Sequence, residues 1–154
     1  MSITSFDMSQ FEYPIRVYPH HTDYGGIVWH GAYVAWLEEA RVEVLRQMGL
    51  PFEQLVEADV NLVVADMALT YRRPLQMGME AVVLLSPLPP KGIRLPWEYE
   101  LRSPDFDTLF LAATVTLAPV TRTAQVHRRL PTVVTELYTQ IEQRLSAGNI
   151  SLSS

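Results

Sequence analysis

Polar and apolar residues alternate along Phe11–Pro19, with Tyr13, Ile15 and Val17 on one side and Glu12, Pro14 and Arg16 on the other. That period of two is the signature of a strand. A polar turn follows over His20–Gly26, and the period then changes. From His30 to Met48, Tyr33, Trp36, Leu37, Ala40, Val44 and Met48 recur at helical spacing, and Gly49 with Pro51 ends the run. Val34, Val42 and Leu45 widen the stripe beyond what a surface helix needs. The pattern therefore predicts a helix wrapped by sheet on much of its circumference. After a short helical piece near Phe52–Ala58, strands are predicted at Asn61–Arg73, Glu80–Ser86, Ile93–Arg102 and Thr108–Ala118. In the third of these, Leu95, Trp97, Tyr99 and Leu101 share one face, and Arg94, Glu98, Glu100 and Arg102 the other. Pro131–Leu145 reads as a terminal helix with Val134, Leu137, Ile141 and Leu145 inward. Short turns between successive strands predict an antiparallel sheet, and the element order predicts an α+β domain with that sheet packed on the central helix. One domain is expected over residues 9–146, with 1–8 and 147–154 as flexible termini.

Composition narrows the chemistry. The 154 residues are 48% hydrophobic and 19% charged, enough apolar material for one real core plus a covered interface. No apolar run approaches the roughly 18 residues of a membrane-spanning helix. The first residues lack the basic start and apolar middle of a signal peptide, so a soluble cytoplasmic protein is expected, with no membrane partner. The net charge of −5 argues against nucleic-acid binding. Zero cysteines exclude disulfides, thiolate metal sites and a cysteine nucleophile. Eleven of the twelve basic residues are arginine, whose planar fork suits phosphate or carboxylate, although genomic base composition explains the ratio equally well. Arg72-Arg73, Lys91 with Arg94, and Arg122 with Arg128-Arg129 are the local clusters on which a compact polyanion could sit.

No G-x-S-x-G, H-E-x-x-H, C-x-x-C or G-x-G-x-x-G motif occurs. Chemistry concentrates in the segment from His20 to His30, which holds three of the four histidines and joins a strand to the start of the buried helix. The first amides of a helix have no internal partner and suit a developing oxyanion. Gly25 and Gly26 permit a sharp turn and close approach of a ligand. Asp23 is a carboxylate able to attack a carbonyl or deprotonate water. This modest equipment suffices for a good leaving group, and a thiolate leaves more readily than an amine or alkoxide. Thioester hydrolysis fits the loop better than peptide or phosphate hydrolysis. The same residues also read more blandly. Asp-x-Gly-Gly is a common turn, His30 suits a hydrogen-bonded helix start, and Trp29, Tyr33 and Trp36 suit a core. Glu38 and Arg41 suit a helix pair. His20, His21 and Asp23 form a third, metal-binding alternative without the spacing of a helical metal site.

Asp23-Tyr24-Gly25-Gly26-Ile27-Val28-Trp29-His30, followed by Tyr33 to Arg41 with Glu38-Glu39-Ala40-Arg41, resembles the signature of the hotdog-fold acyl-CoA thioesterases of the 4-hydroxybenzoyl-CoA thioesterase family. Tyr71-Arg72-Arg73-Pro74 and Arg128-Arg129-Leu130-Pro131 are similar to its later elements. The resemblance implies a hotdog fold, an antiparallel sheet wrapped around a long central helix. It implies hydrolysis of an acyl-CoA to free acid and coenzyme A, with Asp23 as nucleophile or general base. The backbone amide near His30 would polarise the carbonyl, and Gly26 would let substrate approach. The other substrate-binding candidates are Tyr24, Gly25, Trp29, Gly31, Tyr33, Arg72 and Arg73. The aromatic ones favour an aromatic or bulky acyl group, and the two arginines are assigned from charge. No metal and no cofactor are implied. A homodimer or homotetramer is implied, and an acyl carrier protein thioester is an alternative substrate. The segment Leu75-Gln76-Met77-Gly78-Met79 departs from the family's usual Ala and Gly-Asp after the strand-end proline. The rival reading is a non-catalytic acyl-CoA-binding or regulatory hotdog protein.

Overall fold

The computed structural model describes residues 10–49, 52–148 and 150–152. Its elements are β1 (Phe11–Arg16), α1 (His30–Gln47), α2 (Phe52–Glu57), β2 (Asn61–Tyr71), β3 (Glu80–Pro87), β4 (Leu95–Arg102), β5 (Leu109–Val120), α3 (Thr132–Leu145) and β6 (Ile150–Ser151). The six strands form one sheet in the order β2-β5-β4-β3-β1-β6. The four pairings among β1 to β5 are antiparallel. Ile150–Ser151 runs parallel to the start of β1, and the Leu152 amide donates to the Glu12 carbonyl at 2.7 Å, so the sheet extends past the boundary expected at Ser146. Two residues carry too little pattern for a strand to be seen in sequence. The expectation for residues 1–8 lies outside the described residues.

Periodicity becomes packing in a direct way. The inward residues Leu95, Trp97, Tyr99 and Leu101 of β4 are all buried, as are Leu111, Val115 and Leu117 of β5. They meet Ala32, Tyr33, Trp36, Leu37, Ala40 and Val44 of α1 and Val134, Leu137, Tyr138 and Ile141 of α3 in one core. Both long helices thus lie against the same face of the sheet. The buried Trp97 Nε1–H donates to the Tyr138 hydroxyl at 2.8 Å, tying β4 to α3. Among the described residues, no helix is long and apolar enough to cross a membrane.

The wide stripe of α1 is covered only in part. Leu45 is half-buried against the core, whereas Val42 is exposed and Val34 is half-buried, so only part of the extra apolar width meets this chain's own core. Glu38 and Arg41 do pair, with Arg41 Nη2 donating to both carboxylate oxygens at 2.6 and 2.5 Å. Arg41 is buried, and its Nη1 has no hydrogen-bond partner among the described residues. Beside it the Tyr99 hydroxyl is also without one, and burial pushes that phenol up to about 12 against the pull of Arg41.

The polar face of β4 also differs from a solvated one. Glu100 and Arg102 are buried, and Arg102 Nε donates to Glu100 at 2.6 Å while its Nη1 donates to the Phe106 carbonyl at 3.0 Å. Their register explains this: Arg102 lies opposite Val82, and Glu100 lies between Leu84 and Ala112 on the neighbouring strands. Apolar flanks in the middle of a sheet remove water, and the ion pair offsets that desolvation.

Candidate active site

The segment between β1 and α1 is built around Asp23. Its Oδ1 accepts the Gly25 amide at 2.9 Å and the Ile27 amide at 3.1 Å. Its own amide donates to the Ile27 carbonyl at 2.7 Å, and the Gly26 amide donates to the Asp23 carbonyl at 3.1 Å. This is the side-chain-closed turn that aspartate favours. Gly26 sits at φ +77°, a conformation that only glycine adopts without cost. The two readings of Asp23 therefore fall on different atoms. Oδ1 builds the turn, while Oδ2, on an exposed side chain, has no hydrogen-bond partner among the described residues.

The β2–β3 connection pins this loop. The Val28 amide donates to the Leu75 carbonyl at 3.0 Å, and the Met77 amide donates to the Gly26 carbonyl at 3.0 Å. Farther along, Gly78 donates to Val17 and Val17 to Met79, each at 2.9 Å. From the helix side the Tyr33 hydroxyl accepts the Leu75 amide at 3.3 Å. The Tyr33 ring packs edge-on against Trp36 and Tyr71, with centroids 5.8 and 5.3 Å away. Burial raises the Tyr33 phenol, keeping it neutral as a structural group. These bonds fix the loop from both the strand connection and the helix side.

Helix α1 begins without a side-chain cap, because Trp29 stands where Ser, Thr, Asp or Asn would serve. The Ala32 amide reaches back to the Trp29 carbonyl at 3.0 Å, and the preceding His30 and Gly31 amides at the helix start have no backbone partner among the described residues. Trp29 is 46% exposed. Its ring lies over Gly31 so closely that a Cβ there would come within 2.1 Å of it. The missing side chain at position 31 is what lets this ring lie on the helix end, edge-on to His30 at 5.5 Å.

Ile27, Val28, His30, Tyr33, Tyr71, Arg72, Arg73 and Pro74 surround a cleft of about 370 Å³. The structure thus brings together four residues singled out in sequence, His30, Tyr33, Arg72 and Arg73. A second cleft, of about 920 Å³, shares Arg73 and Pro74 with the first. Asp23, Tyr24, Gly25, Gly26, Trp29 and Gly31 do not line either, and the Tyr24 side chain is fully exposed. Sequence reasoning did not place Ile27, Val28 or Tyr71 in the site. Tyr71 closes β2 against Tyr33, a meeting of strand end and helix start that spacing does not display.

Ion pairing separates the arginines. Arg16, Arg41, Arg46, Arg102 and Arg122 are matched by Glu80, Glu38, Glu43, Glu100 and Asp59. Arg72 and Arg73 make no ion pair among the described residues, while their amides anchor on the Phe110 carbonyl at 2.8 and 3.3 Å. They are anchored by backbone, with their charge uncompensated beside the cleft. Among the described residues, no group of three His, Asp or Glu side chains is arranged to hold a metal ion, so His20, His21 and Asp23 do not converge as such a set.

Comparison with known proteins agrees with this architecture. A profile of the thioesterase-like superfamily matches residues 17–140. The Synechocystis sp. protein sll0410, whose name provisionally calls it an esterase, is 39% identical over 134 residues, spanning 86% of this chain and 81% of that one. The acyl-CoA thioester hydrolase YbgC of Escherichia coli is 40% identical over 67 residues, 44% of this chain and 50% of YbgC. The crystal structure of Slr0204, a 1,4-dihydroxy-2-naphthoyl-CoA thioesterase from Synechocystis, superposes with a TM-score of 0.76 at 18% identity, covering 86% of this chain and 98% of that one. The antiparallel sheet packed on the long helix α1 is the hotdog arrangement, and this chain belongs to the thioesterase-like superfamily as a hotdog-fold thioester hydrolase.

Proposed function

We propose that the protein hydrolyses acyl-CoA thioesters with Asp23 as nucleophile or general base. The observation that carries this reading is the division of labour on Asp23, one oxygen spent on the turn and the other open, in a loop leading into an uncapped helix start. As a base, Asp23 takes a proton from water, which adds to the thioester carbonyl. As a nucleophile, it adds directly, and water then opens the resulting anhydride. In both routes the carbonyl oxygen gains charge that the His30 and Gly31 amides offset, and the carbon–sulfur bond breaks to release coenzyme A. The exposed Trp29 offers an apolar face suited to an aromatic or bulky acyl group. The coenzyme A substrate of YbgC, by name, supports the choice of thiol carrier.

The unpaired Arg72 and Arg73 are assigned to the carrier's phosphates. Hydrogen bonds to charged groups contribute about 1.5–3 kcal/mol each. Arg72→Gln with Arg73→Gln is therefore expected to raise KM for acyl-CoA at least tenfold while leaving KM for the matching acyl-pantetheine nearly unchanged. An equal rise for both substrates would remove the arginines from phosphate binding.

A homodimer or homotetramer, acting in the cytoplasm, completes the proposal. Strand β2 ends the sheet as an eleven-residue edge with exposed Val64 and Tyr71, and α1 presents Val42 outward. Long edges of this kind pair with another chain unless blocked. Sedimentation is expected to give the mass of two or four chains, and a monomer at micromolar concentration would contradict this.

A further inference from the structure

His21 is the residue on which the Asp23 loop closes. Its amide donates to the Tyr18 carbonyl at 2.9 Å, and its Nδ1 accepts the Tyr18 amide at 2.9 Å, a reciprocal bracket across the short 3-10 turn Pro19–His21. Its carbonyl accepts the Trp29 amide, the last before α1, at 3.2 Å. The next residue, Thr22, is bridged to Val28. The imidazole lies edge-on against Trp36, with ring centroids 4.9 Å apart, and beside His20 at 4.0 Å. One residue thus ties the end of β1, the core face of α1 and both ends of the Asp23 turn.

An imidazole that accepts at Nδ1 carries its proton on Nε2. A second proton has only Nδ1 to occupy, where the Tyr18 amide hydrogen already points, and the bond becomes a repulsion. We propose that His21 is a positioning residue for Asp23, holding the loop in its reactive shape while Nδ1 is free and loosening it when that nitrogen is protonated. This inference rests on the reading of Asp23 as the reactive carboxylate.

The surroundings bear on where the proton is taken up. Burial, then the neighbouring His20, hold His21 below the usual histidine range. The cleft around it also receives Glu12, Tyr13 and Arg16 from β1, Glu39 from α1 and Glu80 from β3. Arg16 and Glu80 are paired with each other, which leaves Glu12 and Glu39 as the carboxylates of that cleft with no ion pair among the described residues. Because the folded value is lowered, the loop is at full strength above about pH 6.5, the unperturbed histidine pKa. It weakens as pH falls from there through the lower folded value.

The test compares wild type with His21→Gln and His21→Leu between about pH 8 and pH 5, the range in which histidine changes charge. Glutamine keeps an acceptor for the Tyr18 amide and does not titrate; leucine fills space without an acceptor. The readouts are exchange protection of the Gly25 and Ile27 amides, the His21 ring titration by NMR, and kcat and KM for acyl-CoA. In wild type, protection and kcat are expected to fall together, at least fivefold, at the ring's own midpoint, with KM little changed. His21→Gln is expected to keep both values down to pH 5, and His21→Leu to show low protection throughout. The same acid loss in His21→Gln as in wild type overturns the proposal, as does wild-type protection in His21→Leu. Amide exchange requires no turnover, so a protein inactive on every thioester would refute the activity and still let the amides decide the role of His21.

Discussion

Trp97→Ala is expected to lower the unfolding free energy by about 3–5 kcal/mol, the range for removing a large buried aromatic side chain. Trp97 is 1% exposed in the centre of β4 and is in the core shared with α1 and α3. Its loss opens a cavity and also strips the Tyr138 hydroxyl of its 2.8 Å donor. An unsatisfied buried hydroxyl adds about 1–3 kcal/mol, so the effect belongs at the upper end of the range. Against a typical total of about 5–15 kcal/mol, such a loss leaves a marginal domain. Trp97→Phe separates the two contributions: it keeps most of the packing and is expected to lose about 1–3 kcal/mol for the missing donor. Urea unfolding of both variants measures this. An alanine variant within about 1 kcal/mol of wild type would mean that α3 is not docked on the sheet as described, since surface substitutions cost no more than that.

Asp23→Asn is expected to lower kcat by about 10²–10⁴-fold, the range contributed by a positioned acid or base. Asparagine keeps a carbonyl oxygen that can accept the Gly25 and Ile27 amides, so the turn and the fold survive. What disappears is the negative oxygen to which the proposal assigns attack or proton abstraction. Asp23→Ala loses the turn bonds too and is expected to reduce thermal stability, which Asp23→Asn leaves within about 0.5 kcal/mol of wild type, as for a surface substitution. Melting curves for the pair distinguish the chemical role of the carboxylate from its part in building the loop.

Much of the architecture was legible because burial writes its period into the chain. The alternation through Leu95, Trp97, Tyr99 and Leu101 and the helical spacing from Tyr33 to Val44 located β4 and α1 to within two residues. Alternation reports which face a residue takes, not whether that face is dry. The burial of Glu100 and Arg102 follows from their position between apolar neighbours on β3 and β5, which alternation along β4 alone does not report. In the loop, the Asp-x-Gly-Gly turn from Asp23 to Gly26 and the helix start at His30 were legible from residue type and order. The cleft was not, because it forms where Tyr71–Pro74 meets Ile27 and Val28, a contact made by the β2–β3 connection. His21 was legible as one of three histidines and as a member of the metal-binding alternative with His20 and Asp23, and not as a brace for the loop, since the bond from the Tyr18 amide is a matter of ring orientation.

The central claim is that the open carboxylate oxygen of Asp23 drives thioester cleavage. Its most direct test is thiol release from a panel of aromatic and aliphatic acyl-CoA esters by wild type and by folded Asp23→Asn, assayed side by side. Turnover by wild type on at least one ester and a loss of a hundredfold or more in the asparagine variant, in line with the contribution expected of the carboxylate, is the predicted result. Equal rates for the two proteins would contradict it.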